Sequence, residues 1–447
     1  MVPPSQEYFG GLGFHMSPPE PALFVYYEGN ETILVVTSTD DFLCACSNDQ
    51  IFARLKTHME RFVPVTTQDG KVMKYLNMRI IQTDEGISID QTHHIKTTIL
   101  DNWFPPKQTE QLKTADTPYR TDSDFERQLE TQLPAIGEDL KLLEKKYGGK
   151  YNALLGQVLH IAQVTRIDLA FACARFGSFN VAPNEAAFQG IKRIGRYLAT
   201  HLHTPIFYPR QKLTMYQTIR FEYEPGKWEE HIISNLLNLF VDSDHARDIR
   251  TRKSMGCVLA TICSVGVHWQ MGKQSCIASH STDAEICSYF TGMMLNRYLR
   301  VVMEYLRHPL PGPTVIWEDN QPAIDIMLAG QITGRVKHMA VPIAMIQEDI
   351  RSGNSIPKKI KGTLNPSDMG TKPNPATTLH RHFRLARGHR FYPAPTSEHG
   401  KLMQVELVNQ RLTEFDSAPS NTKFNYQEMS NITAVYDNKE QSTKKTS

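Results

Sequence analysis

The alternation of strand and helix patterns between residues 236 and 361 constrains the fold more than any other feature of the chain. A β-rich run ends in acids at FVDSD, and two further apolar runs flank the turn CSVG. A long amphipathic helix pattern follows over residues 278–306. A second β-rich run that ends in acids, TVIWEDN, is followed by the helix pattern MAVPIAMIQEDIRSG and a short strand pattern near KKIKGTL. This series predicts an α/β domain.

The first 100 residues carry a different pattern. Two β-rich runs lie on either side of Glu28-Gly29-Asn30, and the second continues through two acids into FLCAC, which predicts another turn. A helical period covers residues 51–62, and the runs VMKYLNMRII and GISIDQ predict two more strands. Strands on both sides of one helix are typical of an α+β fold.

The remaining stretches connect or extend these two parts. Residues 101–150 are polar and contain proline, so we interpret them as a connector. Residues 151–203 predict helices, the second with Asn184 as its N-cap. Residues 205–235 are weakly patterned and predict a linker, and residues 412–447 have few apolar side chains and predict disorder.

Composition excludes several classes of protein. The net charge of +2 gives no global basic field, so any nucleic-acid footprint must be local. The seven cysteines include no CxxC pair and are odd in number, which favours reduced thiols over disulfides or zinc. The start lacks a secretory-signal pattern, and no apolar run approaches the roughly 18 residues of a spanning helix. We therefore expect a soluble intracellular protein, cytoplasmic or nuclear, without membrane contact.

Two adjacent acids, Asp40 and Asp41, interrupt the stretch ILVVTSTDDFLCAC. Ser, Thr and Asp are good turn formers, so a surface hairpin turn explains them without any chemistry. Paired carboxylates at a strand end are also half of a divalent-metal site. The stretch alone leaves both interpretations open.

Four carboxylates of the second half fall at the ends of predicted elements: Asp242, Glu285, Asp319 and Asp368. In an α/β sheet, acids at the carboxyl ends of strands converge on one edge with a helix that faces them. Such close carboxylates repel one another unless cations neutralise them. Two Mg²⁺ ions, or Mn²⁺ in their place, would do so and would clamp a phosphodiester.

Each of these acids also has an interpretation without metal. Thr282 and Glu285 match a capping box. Asp319 suits a turn, and Asp368 suits a helix N-cap. Two further acids nearby, Asp244 and Asp248, are expected to be solvated.

Several motifs, in one order, connect the chain with a known family. They are FVDSDHARD with RTRKSMGCV, then ASHSTDAEICS, EDNQPAI, RVKHM and NPSDMGTKP, and upstream of them VTSTDDFL and YNALLGQVLHIAQVTRIDLAFACARF. On these motifs the chain resembles the C-terminal part of a copia-type LTR retrotransposon polyprotein, covering reverse transcriptase and ribonuclease H. Thr165-Arg166-x-Asp168 is a strong marker within the upstream stretch. The resemblance covers roughly residues 20–390.

The resemblance implies a combined α+β and α/β architecture, with a partial reverse-transcriptase palm, a helical connection and a ribonuclease H-like mixed-sheet domain. The implied divisions run in chain order: partial palm 1–100, connector 101–150, helical thumb or connection 151–205, linker 206–235, ribonuclease H-like domain 236–375, basic segment 376–411 and disordered tail 412–447.

The resemblance also assigns roles to the acids. Asp40 and Asp41 stand at the place of the palm acids of the polymerase, but the third carboxylate of such a site has no counterpart in the 39 residues before them. We therefore expect no polymerase activity. Asp242, Glu285, Asp319 and Asp368 stand at the metal-binding positions of a nuclease that cuts RNA in RNA–DNA hybrids. The alternative is an inert or co-opted relic that binds nucleic acid without turnover.

Basic residues near these motifs are the expected phosphate contacts. Within the motifs they are Arg252, Lys253, Lys337, His338 and Lys372. Other basic clusters include Lys192, Arg193 and Arg196 on the second predicted helix, although a charge run of this kind also suits a solvated helix face.

Overall fold

The structure is a computed structural model that describes residues 9, 12–68, 70–104, 113–210, 217–224, 227–233, 236–248, 250–332 and 334–404. Contacts divide the chain into a unit of Met1–Gly400 and a unit of Lys401–Ser447, and every contact described below lies within the first. The predicted disorder of residues 412–447 lies outside the described residues.

The first sheet is antiparallel, and its strands follow one another in chain order. They are β1 (His15–Met16), β2 (Leu23–Glu28), β3 (Glu31–Ser38) and β4 (Asp41–Cys46). Helix α1 (Asp49–Met59) packs Ile51 and Leu55 into the same core as Ile33 and Val35 of β3. The Asn48 side chain caps this helix by accepting the Ile51 N–H. The two predicted hairpins and the predicted helix are therefore confirmed.

The second sheet, also antiparallel, has four strands: β5 (Val72–Tyr75), β6 (Met78–Thr83), β7 (Gly86–Asp90) and β8 (Ile206–Pro209). The run VMKYLNMRII, predicted as one strand, is a hairpin, so that prediction is wrong. Leu76 and Asn77 both have positive φ, +46° and +63°. A two-residue turn with positive φ at both positions matches the twist of the strands it joins.

Helices fill the middle of the chain. Residues 92–103 form a helical segment, α2, whose central part Ile95–Leu100 is a π-helix. The other helices are α3 (Ser123–Thr131), α4 (Gly137–Tyr147), α5 (Tyr151–Val164), α6 (Ala170–Gly177) and α7 (Glu185–Thr200). The predicted N-cap is confirmed, because Asn184 accepts the Ala187 N–H. The predicted connector contains α3 and α4, and α3 is ordered by burying Phe125 and Leu129.

The stretch predicted as a linker is not irregular. It contains β8 and then an antiparallel hairpin of β9 (Gln217–Glu224) and β10 (Lys227–Ile233). Isoleucine and aromatic residues alternate with polar residues in QTIRFEYE, which is a short strand pattern. The role of this stretch as a linker stays a prediction.

The third sheet is mixed and has the order β13-β12-β11-β14-β15. Its strands are β11 (Asn238–Asp244), β12 (Met255–Ile262), β13 (Val265–Lys273), β14 (Thr314–Glu318) and β15 (Ser355–Lys359). β11, β14 and β15 are parallel, whereas β12 and β13 form an antiparallel hairpin. The predicted α/β alternation is therefore confirmed.

One face of this sheet carries the long helix α8 (Ser281–Tyr305) with α9 (Gln321–Leu328) and α10 (Ala340–Arg351). A Cβ atom at Gly292 of α8 would lie 2.7 Å from Val241 Cγ1, so helix and strand approach closely at this glycine. The opposite face meets the short helix α11 (Asp368–Thr371) and α12 (Ala376–Ala386).

The helical region and the third sheet share one hydrophobic core. Leu259 of β12 and Phe383 of α12 belong to the same buried cluster as the helices α5 to α7. Trp269 of β13 donates its indole N–H to the carbonyl oxygen of Ala162 in α5 at 2.8 Å. The helices α5 to α7 thus pack against one end of the third sheet.

A buried ion pair lies within this shared core. Arg166, 1% exposed, donates from Nε to Asp168 Oδ1 at 2.9 Å and from Nη2 to Asp168 Oδ2 at 2.7 Å. Tyr197 also donates to Asp168 Oδ2, at 2.6 Å. The remaining nitrogen, Nη1, donates to the carbonyl oxygen of His201, and the guanidinium lies 5.4 Å from the ring centre of Phe383. The marker Thr165-Arg166-x-Asp168 is therefore a packing element between α5, α7 and α12.

Candidate metal centre

Three of the four predicted acids meet at one edge of the third sheet. Asp242 lies near the end of β11, Asp319 follows β14, and Glu285 lies in the second turn of α8. One carboxylate oxygen from each lies within 4.8 Å of the others. β11 and β14 are adjacent and parallel, so their carboxyl ends coincide, and α8 brings Glu285 to the same place.

Burial and like charge raise the pKa values of these acids. Burial, with the charge of Asp368, raises the pKa of Asp242 to about 8. Burial, with the charge of neighbouring Glu318, raises the pKa of Glu285 to about 10. Without a cation, the cluster therefore retains protons at neutral pH that ordinary carboxyl groups release.

Glu318 is an acid of this cluster that the sequence analysis missed. Side chains alternate along β14, so Glu318 lies on the same face as Ile316, towards α8, and it is fully buried. Burial raises its pKa to about 8. The sequence signal for this acid is the adjacent pair Glu318 and Asp319 in WEDN. Because neighbouring residues of a strand point to opposite faces of the sheet, such a pair predicts one acid on each face.

The donor set fits a divalent cation. Glu285 Oε2 and Glu318 Oε2 are buried and have no hydrogen-bond partner. Mg²⁺ and Mn²⁺ prefer oxygen ligands, and the clustered carboxylates supply them at this edge of the sheet. A Cβ atom at Gly362 would lie 2.7 Å from Asp319 Oδ2, so glycine at this position leaves room for that carboxylate.

The fourth acid, Asp368, is connected to the cluster through a lysine. Lys372 Nζ lies 2.9 Å from Asp368 Oδ1 and 3.2 Å from Asp242 Oδ1. The Thr371 hydroxyl donates to the other oxygen of Asp242. Lys372, expected to contact nucleic acid, is therefore an internal counter-ion here. The sequence offered Thr-Lys after Asp368 but nothing to show that both side chains reach Asp242.

The local geometry removes two of the interpretations without metal. Helix α8 begins at Ser281 after His280, with no side-chain cap, so Thr282 forms no capping box. Ser367, rather than Asp368, is the residue that precedes α11. Asn320 caps α9 by accepting the Ala323 N–H, and Asp319 just before it is left to face the cluster.

Asp244 and Asp248 were expected to be solvated, and this is wrong for Asp248. Asp248 is buried and accepts the N–H groups of Arg250 and Thr251 while Lys273 pairs with it. It holds together the loop between β11 and β12. Asp244 is half-buried and lies 3.5 Å from Arg247.

Asp40 and Asp41 lie elsewhere, on the turn that joins β3 to β4. Ser38 pairs with Asp41 across the hairpin, and both acids are exposed. In the part of the chain that the structure describes, neither belongs to a group of three or more side chains able to hold a metal. The hairpin turn is confirmed, whereas the place of Asp40 and Asp41 as palm acids and the expected lack of polymerase activity stay predictions.

The basic residues fall into two groups. Arg252, Lys337 and His338 are exposed and Lys253 is half-buried, although His338 Nε2 lies 2.9 Å from Asp283 Oδ2. On α7, by contrast, the cations turn inward: Lys192 lies over the ring of Trp103 at 4.9 Å, and Arg193 donates to the backbone oxygen of Thr117. Burial lowers the pKa of Lys192 to about 8. These two side chains serve packing rather than phosphate contact.

The fold and the site define a mixed α/β protein with a carboxylate-lined edge suited to divalent cations. No known family profile matches the chain. The chain is 24% identical over 352 residues to the retrovirus-related Pol polyprotein from transposon TNT 1-94 of Nicotiana tabacum, covering 78% of this chain and 24% of that protein. The retrovirus-related Pol polyprotein from transposon RE2 of Arabidopsis thaliana is 23% identical, and the match covers 76% of this chain and 21% of that protein. The corresponding polyprotein from transposon RE1 of the same plant is 22% identical, and the match covers 78% of this chain and 21% of that protein.

The resemblance to copia-type retrotransposon polyproteins is thereby confirmed. The chain spans about a quarter of the length of the curated relatives it matches. Among solved structures, the chain is 11% identical to a ribonuclease H1 in complex with an RNA/DNA hybrid. That match covers 29% of this chain and 88% of the other chain, with a TM-score of 0.23. No helix within the described ranges is long and apolar enough to cross a membrane.

Proposed function

We propose that the chain is a retrotransposon-derived reverse transcriptase and ribonuclease H fragment that cleaves RNA in RNA–DNA hybrids. The observation that carries the proposal is the meeting of Asp242, Glu285 and Asp319, each from a different motif, within 4.8 Å. The Pol polyprotein relatives support the same assignment, since their similarity runs over about three quarters of this chain.

In this proposal Asp242, Glu285 and Asp319 hold the metal, and Asp368 completes the site. Bound Mg²⁺ or Mn²⁺ would supply an activated water and stabilise charge on the scissile phosphate. The chain itself positions the carboxylates at a rigid sheet edge, with Gly362 leaving space beside Asp319. The RNA strand is distinguished by its 2′-hydroxyls in the minor groove of the hybrid. The exposed Arg252 and Lys337 are the proposed phosphate contacts.

The test is incubation of the purified chain with a labelled RNA–DNA hybrid, in Mg²⁺ and in EDTA, beside the variant Asp242→Asn. We expect RNA cleavage that requires Mg²⁺ and is lost in the variant. The matched control is Asp325→Asn, the same chemical change on the exposed surface of α9, which should leave cleavage unchanged. A folded chain that does not cleave the hybrid would refute the proposal.

The second candidate is a relic that binds nucleic acid without turnover. The specific observation in its favour is Lys372, whose ammonium group already lies at ion-pair distance from both Asp242 and Asp368. A resident cation at this place competes with a second metal ion. Salt-dependent binding of the hybrid by a folded chain, with no cleavage in any concentration of Mg²⁺, would favour this candidate.

For the N-terminal part we propose a region like a reverse-transcriptase palm, without polymerase activity. Asp40 and Asp41 occupy an exposed turn and share no metal site with a third described acid. Extension of a primer on an RNA template by the purified chain would contradict this assignment.

A further inference from the structure

A cavity of about 260 Å³ lies on the face of the third sheet that α12 covers. Its floor consists of side chains from three adjacent strands: Phe240, Leu259 and Trp317. Its walls come from the loop after β15 and from α12: Ile360, Leu364, Pro366, Leu385 and Ala386. None of the clustered acids lines it, so it is distinct from the candidate metal centre.

The floor carries a pair of nearly parallel aromatic rings. Phe240 and Trp317 are register partners on β11 and β14, and their rings are 6.4 Å apart and inclined by only 16°. Both side chains are half-buried. Aromatic rings at the bottom of a cavity are suited to stacking against a planar heterocycle.

The rim is cationic. The lining includes Lys359, Lys361 and Arg390, and no carboxylate is among the described lining residues. The Lys359 ammonium group donates to the backbone carbonyl oxygen of Asp319, which leaves Lys361 and Arg390 as the cations that face the cavity. Arg390 Nη2 donates to the carbonyl oxygen of Ser264 at 3.1 Å, whereas Arg390 Nε is buried without a hydrogen-bond partner. Within the described residues no carboxylate pairs with Arg390. A desolvated cation without a counter-charge is stabilised by a bound anion.

We propose that this cavity binds a nucleotide, with its base against Phe240 and Trp317 and its phosphate held by Lys361 and Arg390. The volume lies just below the roughly 300 Å³ at which small-molecule sites begin, which limits the occupant to one nucleotide. That nucleotide is either free or the terminal residue of a strand. The inference does not rest on nuclease activity, because the acids take no part in it.

The test is calorimetric titration of the full-length chain with AMP in EDTA, so that the carboxylate cluster binds no metal. We expect saturable binding, with adenosine alone and inorganic phosphate alone each binding more weakly. The variants Trp317→Leu and Arg390→Met should each weaken AMP binding by about tenfold, the usual effect of losing one stacking or charge contact.

The matched control is Lys358→Gln, because Lys358 is the exposed neighbour of Lys359 on β15 and does not line the cavity. It should bind AMP as the parent chain does. Lys361→Gln, at an exposed position where folding is not at risk, should weaken binding without any change in melting temperature. A short single-stranded oligonucleotide that binds more tightly than AMP would identify a strand end as the occupant.

Three results would overturn the proposal. They are no AMP binding at millimolar concentration, binding that Trp317→Leu and Lys361→Gln leave unchanged in folded protein, and binding that Asp242→Asn abolishes. Loss of binding in Asp242→Asn would indicate that the nucleotide binds at the carboxylate cluster instead of in the cavity. A chain that binds AMP in this way but fails to cleave hybrid would contradict the proposed nuclease function only.

Discussion

Replacing Arg166 by methionine tests whether the marker motif acts through the shared core. The change leaves Asp168 buried with Tyr197 as its remaining side-chain donor. Removal of one partner from a buried ion pair costs about 3–5 kcal/mol, because the other charge stays desolvated. The entropy of unfolding is about 2.1 cal/mol/K per residue, or about 0.8 kcal/mol/K for a 400-residue unit, so the melting temperature should fall by about 4–6 °C.

The assay is thermal unfolding followed by circular dichroism at pH 7, with two comparison variants. Arg127→Met removes an exposed cation that pairs with Asp124 on α3 and should shift the melting temperature by less than about 1 °C. The double variant Arg166→Met/Asp168→Asn should recover most of the loss, since it leaves no buried charge and keeps an acceptor for Tyr197. Equal melting temperatures for Arg166→Met and Arg127→Met would refute the reasoning.

Three further predictions concern the site and its support. In EDTA, the free energy of unfolding should fall by about 1.4 kcal/mol from pH 7 to pH 8 for each proton that Asp242 and Glu285 retain in the folded chain. The reason is that the pKa values of both groups are raised in the folded chain, whereas the unfolded chain has already released these protons. Saturating Mg²⁺ should abolish that slope in thermal melts, and a melting temperature that rises over this range in EDTA would contradict the shifts. Lys372→Met should tighten Mg²⁺ binding measured by calorimetry, because the competing ammonium is gone, and weaker binding would show that Lys372 supports the metal site. Gly292→Ala should destabilise the fold by about 1–3 kcal/mol in urea unfolding through its contact with β11, whereas Gly156→Ala, with open space around it, should stabilise by about 0.5–1 kcal/mol.

The parts of the fold that the sequence predicts are those fixed by local pattern. The strands that end at Asp242 and Asp319, and the helix that carries Glu285, follow from periodicity and from the parallel arrangement that brings such ends together. The hairpin at Leu76-Asn77 was missed because an apolar leucine occupies a left-handed position usually held by glycine or asparagine.

Other features depend on distances that no local pattern contains. Lys372 reaches Asp242 only because α11 packs on β11, and this contact joins residues far apart in the chain. The inward turn of Lys192 and Arg193 likewise depends on partners from α2 and the segment after it. The third sheet could therefore be predicted in outline, whereas the charge balance of its site could not.

The pairing of β8 with β7 has a consequence for how the chain folds during synthesis. Residues 206–209 complete a sheet whose other strands end at Asp90, and they also bind the third sheet, since Tyr208 donates to the carbonyl oxygen of Gly266 at 2.7 Å. At about 5–20 residues per second, ribosomes leave the edge of β7 unpaired for on the order of 10 s. During that interval the edge is open to pairing with other nascent chains. Slow translation of the helical segment would prolong this exposure, so aggregation during synthesis should depend on elongation rate between residues 91 and 205.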